Sequence, residues 1–167
     1  MQLTILGSGT GIATKNRNAP GYLINVGNKL ILLDAGEGTK RQIIKAGFDL
    51  FSLTHIFITH THVDHVAEIP AIVWPFHFTR VKSVLNFFGP PRFKKFFGTA
   101  FKAFIPNINQ RKKLKIKIRE LKNNKIKLDD ITIETRLMTE KMGSTFCEQE
   151  IGYSITSKKQ ISSFLWR

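Results

Sequence analysis

The chain is poor in cysteine, in acid and in long apolar runs. One cysteine, Cys147, stands among 167 residues, which excludes an internal disulfide framework. No apolar run approaches the roughly 20 residues of a membrane helix, so no membrane partner is expected. The start, Met1-Gln2-Leu3-Thr4-Ile5-Leu6-Gly7, has neither the basic region nor the long apolar stretch of a signal peptide. It reads as a strand that begins at once, and a cytoplasmic location follows. Acidic residues number 12 against 26 Lys and Arg, a net charge of +14. Such a surface attracts nucleic acid, acidic lipid or a phosphorylated substrate. An AT-rich genome also produces Asn/Lys/Ile/Phe-rich text with no partner behind it, and both readings stay open.

What is present suffices for a core. The hydrophobic share is 42%, with 14 Phe, well above that of a disordered chain. The length suits one domain, 1–167. Residues 2–6, 21–26 and 29–33 read as strands, the last two joined at Gly27-Asn28, a two-residue hairpin turn. A helix follows Thr39, with Ile43, Ile44 and Ala46 on one side and Gly47 closing it. Residues 56–58 form a buried strand, and a helix is expected from about His65 to Trp74. Residues 84–88 are a further strand, ended by Gly89-Pro90-Pro91. Phe93, Phe96, Phe97, Phe101 and Phe104 then recur at helical spacing, a core-facing stripe. From Leu114 to Met138 apolar and polar residues alternate, as in antiparallel strands with one solvated face. A last strand covers 152–156. Strand pairs, interspersed helices and further strands make a layered α/β domain.

The chemistry concentrates in His60-Thr61-His62-Val63-Asp64-His65, which holds three of the five histidines. Side chains alternate along an extended segment, so His60 and His62 fall on the same side and can reach one metal. Asp64 and His65 follow where the chain turns into a helix and can address a second. Imidazole with carboxylate suits Zn²⁺, with Mn²⁺ or Fe²⁺ as alternatives. Two adjacent metals can hold a bridging hydroxide and a phosphoryl or carbonyl oxygen together. Asp34 ends a buried strand at a glycine-rich turn. Its carboxylate either braces that turn or partners a metal-bound histidine. His55 is read as a capping or surface residue ahead of its strand, and His77 as a core-edge histidine.

Leu6-Gly7-Ser8-Gly9-Thr10-Gly11, Leu32-Leu33-Asp34-Ala35-Gly36-Glu37-Gly38-Thr39 and Phe57-Ile58-Thr59-His60-Thr61-His62-Val63-Asp64-His65 resemble three successive motifs of ribonuclease Z and its relatives in the metallo-β-lactamase superfamily. Arg17-Asn18-Ala19-Pro20-Gly21-Tyr22 and Gly89-Pro90 fit the same group. The resemblance covers most of residues 1–157. It implies the N-terminal half of an αββα sandwich, with a mixed, largely antiparallel sheet. It also implies two zinc ions and hydrolysis of a phosphodiester in RNA, of the tRNA 3′-processing type. By the same resemblance His60 and His62 bind the first metal, and Asp64 and His65 the second. Asp64 would also orient and deprotonate the attacking water, and Asp34 would brace the site. An arylsulfatase-like or cyclic-nucleotide-phosphodiesterase-like hydrolase is the alternative within the superfamily.

The chain departs from that pattern twice. The family supplies a third histidine to the first metal ahead of a Gly-Tyr strand. Here no histidine follows His77, and Glu140, ahead of Gly152-Tyr153, is the substitute candidate. The family also continues into a Gly-Asp-Thr motif and a second α/β half, whereas this text stops at Arg167. Read one nucleotide forward, Phe164-Leu165-Trp166-Arg167 can encode Phe-Cys-Gly-Asp, so a truncated or frameshifted member is expected. A non-catalytic remnant therefore stands beside the hydrolase, with weak metal retention and an uncovered sheet that a homodimer would complete.

Overall fold

The computed structural model describes residues 1–27, 29–78, 82–105, 113–138 and 149–157, and the backbone alone of 160–166. Three strands open the chain: β1 (Gln2–Gly7), β2 (Gly21–Val26) and β3 (Lys29–Leu33). They pair antiparallel, β2 against β3 in an unbroken register from Tyr22–Leu33 to Val26–Lys29. Gly27 carries the left-handed φ of +58° that this tight return requires. Helix α1 (Thr39–Lys45) leads through a 3₁₀ turn (Leu50–Ser52) into β4 (Leu53–Phe57). Gly47, at φ +83°, follows the helix, as expected.

After β4 come α2 (Val63–Val66), α3 (Ile69–Val73) and a second 3₁₀ turn (Trp74–His77). The single helix expected from His65 to Trp74 is thus three pieces. Pro70 and Pro75 each stand at the start of a new piece, where a missing N–H costs nothing. Then β5 (Ser83–Gly89), α4 (Phe93–Phe104) and β6 (Leu114–Glu120) complete a six-stranded sheet of order β1-β2-β3-β4-β5-β6. The pairs from β3 to β6 are parallel. The alternating text at Leu114 is therefore the parallel edge of the first sheet rather than the start of an antiparallel set. Period two reports two unlike faces and carries no information on direction.

A second sheet holds β7 (Lys125–Leu128), β8 (Ile131–Met138), β9 (Glu150–Ser157) and β10 (Gln160–Trp166). Its order is β10-β9-β8-β7, wholly antiparallel. Strand β10 lies in text that the sequence pattern leaves unassigned.

Two cores flank the first sheet. Leu30 and Leu32 of β3 face the helices, packing with Ile43, Ile72, Phe87 and the Phe93, Phe97 and Phe101 side of α4. Their neighbours Ile31 and Leu33 face the second sheet, with Phe57, Ile133, Ile151, Tyr153 and Ile155. A strand buried on both faces reads as a continuous apolar run, which is how residues 29–33 appear. The Phe stripe of α4 is core: Phe97 and Phe101 stack at 3.9 Å and Phe97 meets Phe87 at 4.8 Å. Each such burial contributes about 1.5–3 kcal/mol. Only Phe104, at 67% exposure, stands clear of it. The layers are α, β and β, and the loops after β3 and β4 meet at one end of them.

Candidate metal centre

Strand β4 ends at Phe57, and the chain leaves the sheet through Ile58 and Thr59 into the histidine loop. Backbone bonds hold this exit. Ile58 N–H donates to Phe88 O at 2.8 Å, and Asp34 N–H donates to Phe57 O at 2.8 Å. The second sheet adds two more ties: Ile151 N–H to Thr59 O at 2.9 Å and the Tyr153 hydroxyl to Ile58 O at 2.8 Å. Tyr153 is fully buried. Burial, with the charge of Asp34 behind it, keeps its hydroxyl protonated well above the usual range.

Asp34 is the hub. It is completely buried and takes φ +54°, a left-handed conformation that Asp tolerates better than most residues. Its carboxylate accepts Thr59 N–H at 2.8 Å, the Thr59 hydroxyl at 2.9 Å and His65 Nδ1–H at 2.9 Å. A buried carboxylate is tolerable only with such partners. Asp34 thus reaches the histidine directly, in addition to bracing the chain at Thr59. The glycine-rich turn that follows is closed by Ala35 N–H to His65 O at 2.8 Å and Glu68 N–H to Ala35 O at 2.9 Å. Gly36 is required there: a Cβ would lie 2.1 Å from Asp64 O.

These bonds set the imidazoles. With Nδ1 given to Asp34, His65 turns Nε2 towards Asp64 Oδ2, 3.6 Å away. His60 Nδ1 meets the Thr59 hydroxyl at 3.0 Å, so its Nε2 faces His62 Nδ1 at 3.1 Å. Burial, then the neighbouring His65 charge, pushes His60 down to about 4, so its ring is neutral at pH 7 with a lone pair available. His65 moves the other way. Burial works to lower it, but the hydrogen bond and charge of Asp34, with Asp64 and Glu150 adding, more than offset that.

The donor chemistry fits a cation. Two ligands on one tetrahedral zinc, bonded at about 2.0–2.1 Å, lie about 3.3 Å from each other. The separations His60 Nε2–His62 Nδ1 (3.1 Å) and His65 Nε2–Asp64 Oδ2 (3.6 Å) bracket that edge length. His62 Nε2, the ring nitrogen opposite the Nδ1 that faces His60, is buried without a hydrogen-bond partner among the described residues. The donors come as two pairs, and among the described residues no three His, Cys, Asp or Glu side chains converge on one point. Glu140 lies outside the described residues.

The remaining histidines stay apart from the loop. His55 is inside β4 rather than ahead of it, because the strand begins at Leu53. It bonds the Thr54 hydroxyl at 2.8 Å and lies parallel to the Phe88 ring, and burial lowers its pKa. His77 sits edge-on to Trp74 at 5.5 Å. Sequence reasoning missed Thr59, Tyr153 and Glu150. Thr59 lies within the histidine motif and Tyr153 in the Gly-Tyr strand, whereas Glu150 reaches the site only through the second sheet.

Two sheets with helices on one side, and a His-x-His-x-Asp-His loop at their end, define a protein of the metallo-β-lactamase fold. The solved structure of the metallo-β-lactamase-fold protein YhfI from Bacillus subtilis matches it with TM-score 0.71 at 16% identity, covering 98% of this chain and 61% of that one. Human tRNase Z, short form, matches with TM-score 0.75 at 19% identity, covering 99% and 68%. The chain belongs to the family described as anti-Pycsar protein Apyc1, which matches residues 1–135. It is also similar to ribonuclease Z of Methanosarcina mazei, 35% identical over 96 residues that make up 58% of this chain and 32% of that relative. The match thus spans about a third of that curated relative's length.

Proposed function

We propose that this chain is a metal-dependent phosphodiesterase unit of the ribonuclease Z type. The observation that carries the reading is the pairing of donors: His60 Nε2 with His62 Nδ1, and His65 Nε2 with Asp64 Oδ2. His60 and His62 would hold one zinc ion, Asp64 and His65 a second. A zinc ion bound there would make a water easier to deprotonate near neutral pH and would act as a Lewis acid towards a phosphoryl oxygen. The chain's own part is orientation. Asp34 fixes the His65 tautomer and Thr59 that of His60, and Asp64 would hold the attacking water and take its proton. RNA is the substrate class, the action is cytoplasmic, and residues 1–167 act as one domain. A homodimer is the arrangement that would cover the second sheet.

A second reading has its own support. The matching family is not the ribonuclease Z family itself, and the cavity beside Asp64, about 250 Å³, suits one nucleotide better than a duplex. A cyclic-nucleotide phosphodiesterase shares the metal chemistry and differs only in substrate.

Metal analysis with a two-substrate assay tests both. Two zinc ions per chain with cleavage of RNA supports the first reading. Turnover of cyclic mononucleotides with intact RNA favours the second. Purified chain that takes up no zinc, manganese or iron overturns both and leaves the non-catalytic remnant.

A further inference from the structure

Strand β6, last in the order of the first sheet, carries three cations on one face. Side chains alternate along a strand, so Lys115, Lys117 and Arg119 share a side while Ile116 and Ile118 turn to the helix-side core. All three cations are exposed, and no residue of β6 joins the core beneath the second sheet. Pairing with β5 gives them neutral neighbours: Val84 beside Lys115, Asn86 beside Lys117 and Phe88 beside Arg119.

Among the described residues none of the three enters an ion pair. Elsewhere the chain matches a strand cation with an acid, Lys29 with Asp129 and Lys125 with Glu134. The acid of β6 itself, Glu120, is on the opposite face and accepts Lys94 N–H of α4 at 2.9 Å. Like charges held this close repel one another. A single charge can blunt a sheet edge, so three unpaired ones in a row call for an anionic partner. Their spacing is about 6.6 Å, two residues of a parallel strand, a step that successive phosphates of an extended single strand can follow. The row also has a direction. Strands β4, β5 and β6 are parallel, so Arg119 stands at the end where the histidine loop leaves β4. It is two strands, roughly 10 Å, to the side of that exit.

We infer that this face of β6 is a track for the backbone of single-stranded RNA, whose phosphates step from Arg119 to Lys117 to Lys115, away from the candidate metal centre. The inference rests on the RNA reading of that centre and adds the course of the strand beyond it. Phosphate contacts of this kind position the strand and carry no sequence preference.

The test is anisotropy titration of the full chain with a short labelled 2′-O-methyl oligouridylate across salt concentrations. Lys115→Gln, Lys117→Gln and Arg119→Gln combined should make the log–log salt slope shallower by about 2, three single-strand contacts at about 0.7 each. Lys115→Arg, Lys117→Arg and Arg119→Lys combined keep the charges and should keep the slope. Lys94→Gln, Lys95→Gln and Lys102→Gln on α4 remove the same charge and should shift the slope by less than about 0.7. In the unsubstituted chain, bound RNA should shield Lys115 and Lys117 from amine acetylation while Lys94 and Lys102 stay reactive, a readout that needs no variant to fold. Equal flattening by both glutamine sets, or shielding of Lys94 and Lys102 instead, overturns the track. A chain that does not bind the oligonucleotide also overturns it, and binding to phosphatidylserine vesicles in its place would reassign the face to a lipid surface. A slope that depends on β6 in a chain taking up no metal supports the track and counts against the phosphodiesterase reading, so the two failures are separable.

Discussion

Asp34 joins folding to chemistry within a single side chain. Its carboxylate satisfies the backbone of the β4 exit and sets the face that His65 presents. Asn at this position keeps the shape and tolerates the left-handed backbone, but its amide cannot accept on both sides. Asp34→Asn should therefore fold and lose metal affinity about 10–100-fold, the usual effect of removing a histidine's partner. Competition against a chromogenic chelator measures this, and unchanged affinity would show that Asp34 has no part in orienting the ligand. Gly36 makes a steric counterpart. A methyl there meets Asp64 O and, at 2.7 Å, the Ala19 Cβ, so the turn must open. Gly36→Ala should cost about 1–3 kcal/mol by overpacking. A thermal melt should show that loss, and metal titration should show weaker binding in the same variant, because Asp64 moves with the turn.

At the scale of elements, legibility followed the range of the interactions. Residues 21–26 and 29–33 were readable to the residue, because a short apolar run on each side of Gly27 leaves one register. The donor loop was readable because its spacing is local. The helix after it was misread, since its apolar text is continuous and only Pro70 and Pro75 mark the breaks. Strand β6 gave its faces but not its direction, which is set by the α4 crossover. Strand β4 starts at Leu53 rather than Ile56, because pairing with β3 extends it beyond its apolar segment. The docking of Tyr153 and Ile151 on the β4 exit depends on how two sheets stack, and no local pattern encodes that.

For the molecule as a whole, the question is what the charge of +14 does. Part of the basic surface is internally neutralised: Lys29 pairs with Asp129 at 3.1 Å and Lys125 with Glu134 at 2.6 Å. Lys115, Lys117 and Arg119 line edge strand β6, where charge also discourages strand-to-strand aggregation. If RNA is nonetheless the partner, affinity for single strands should fall with salt along a log–log slope steeper than about −2, equivalent to three or more phosphates at about −0.7 each. Titrations of a labelled oligoribonucleotide across salt concentrations measure it. A slope near zero would assign the charge to composition and edge protection.

The bond from Ile151 N–H to Thr59 O makes one amide a clock for the site. It lies across the seam of the two sheets, one residue from His60, so deuterium enters only when that seam parts. A cation on His60 and His62 would bind the closed form alone. At a hundredfold excess over its dissociation constant it should slow exchange at Ile151 about 100-fold, the kinetic image of about 2.7 kcal/mol of linkage. Exchange at Ile24, on the far side of the same core, would respond only through global unfolding. The seam would then record, in proton traffic alone, whether metal and fold are one equilibrium.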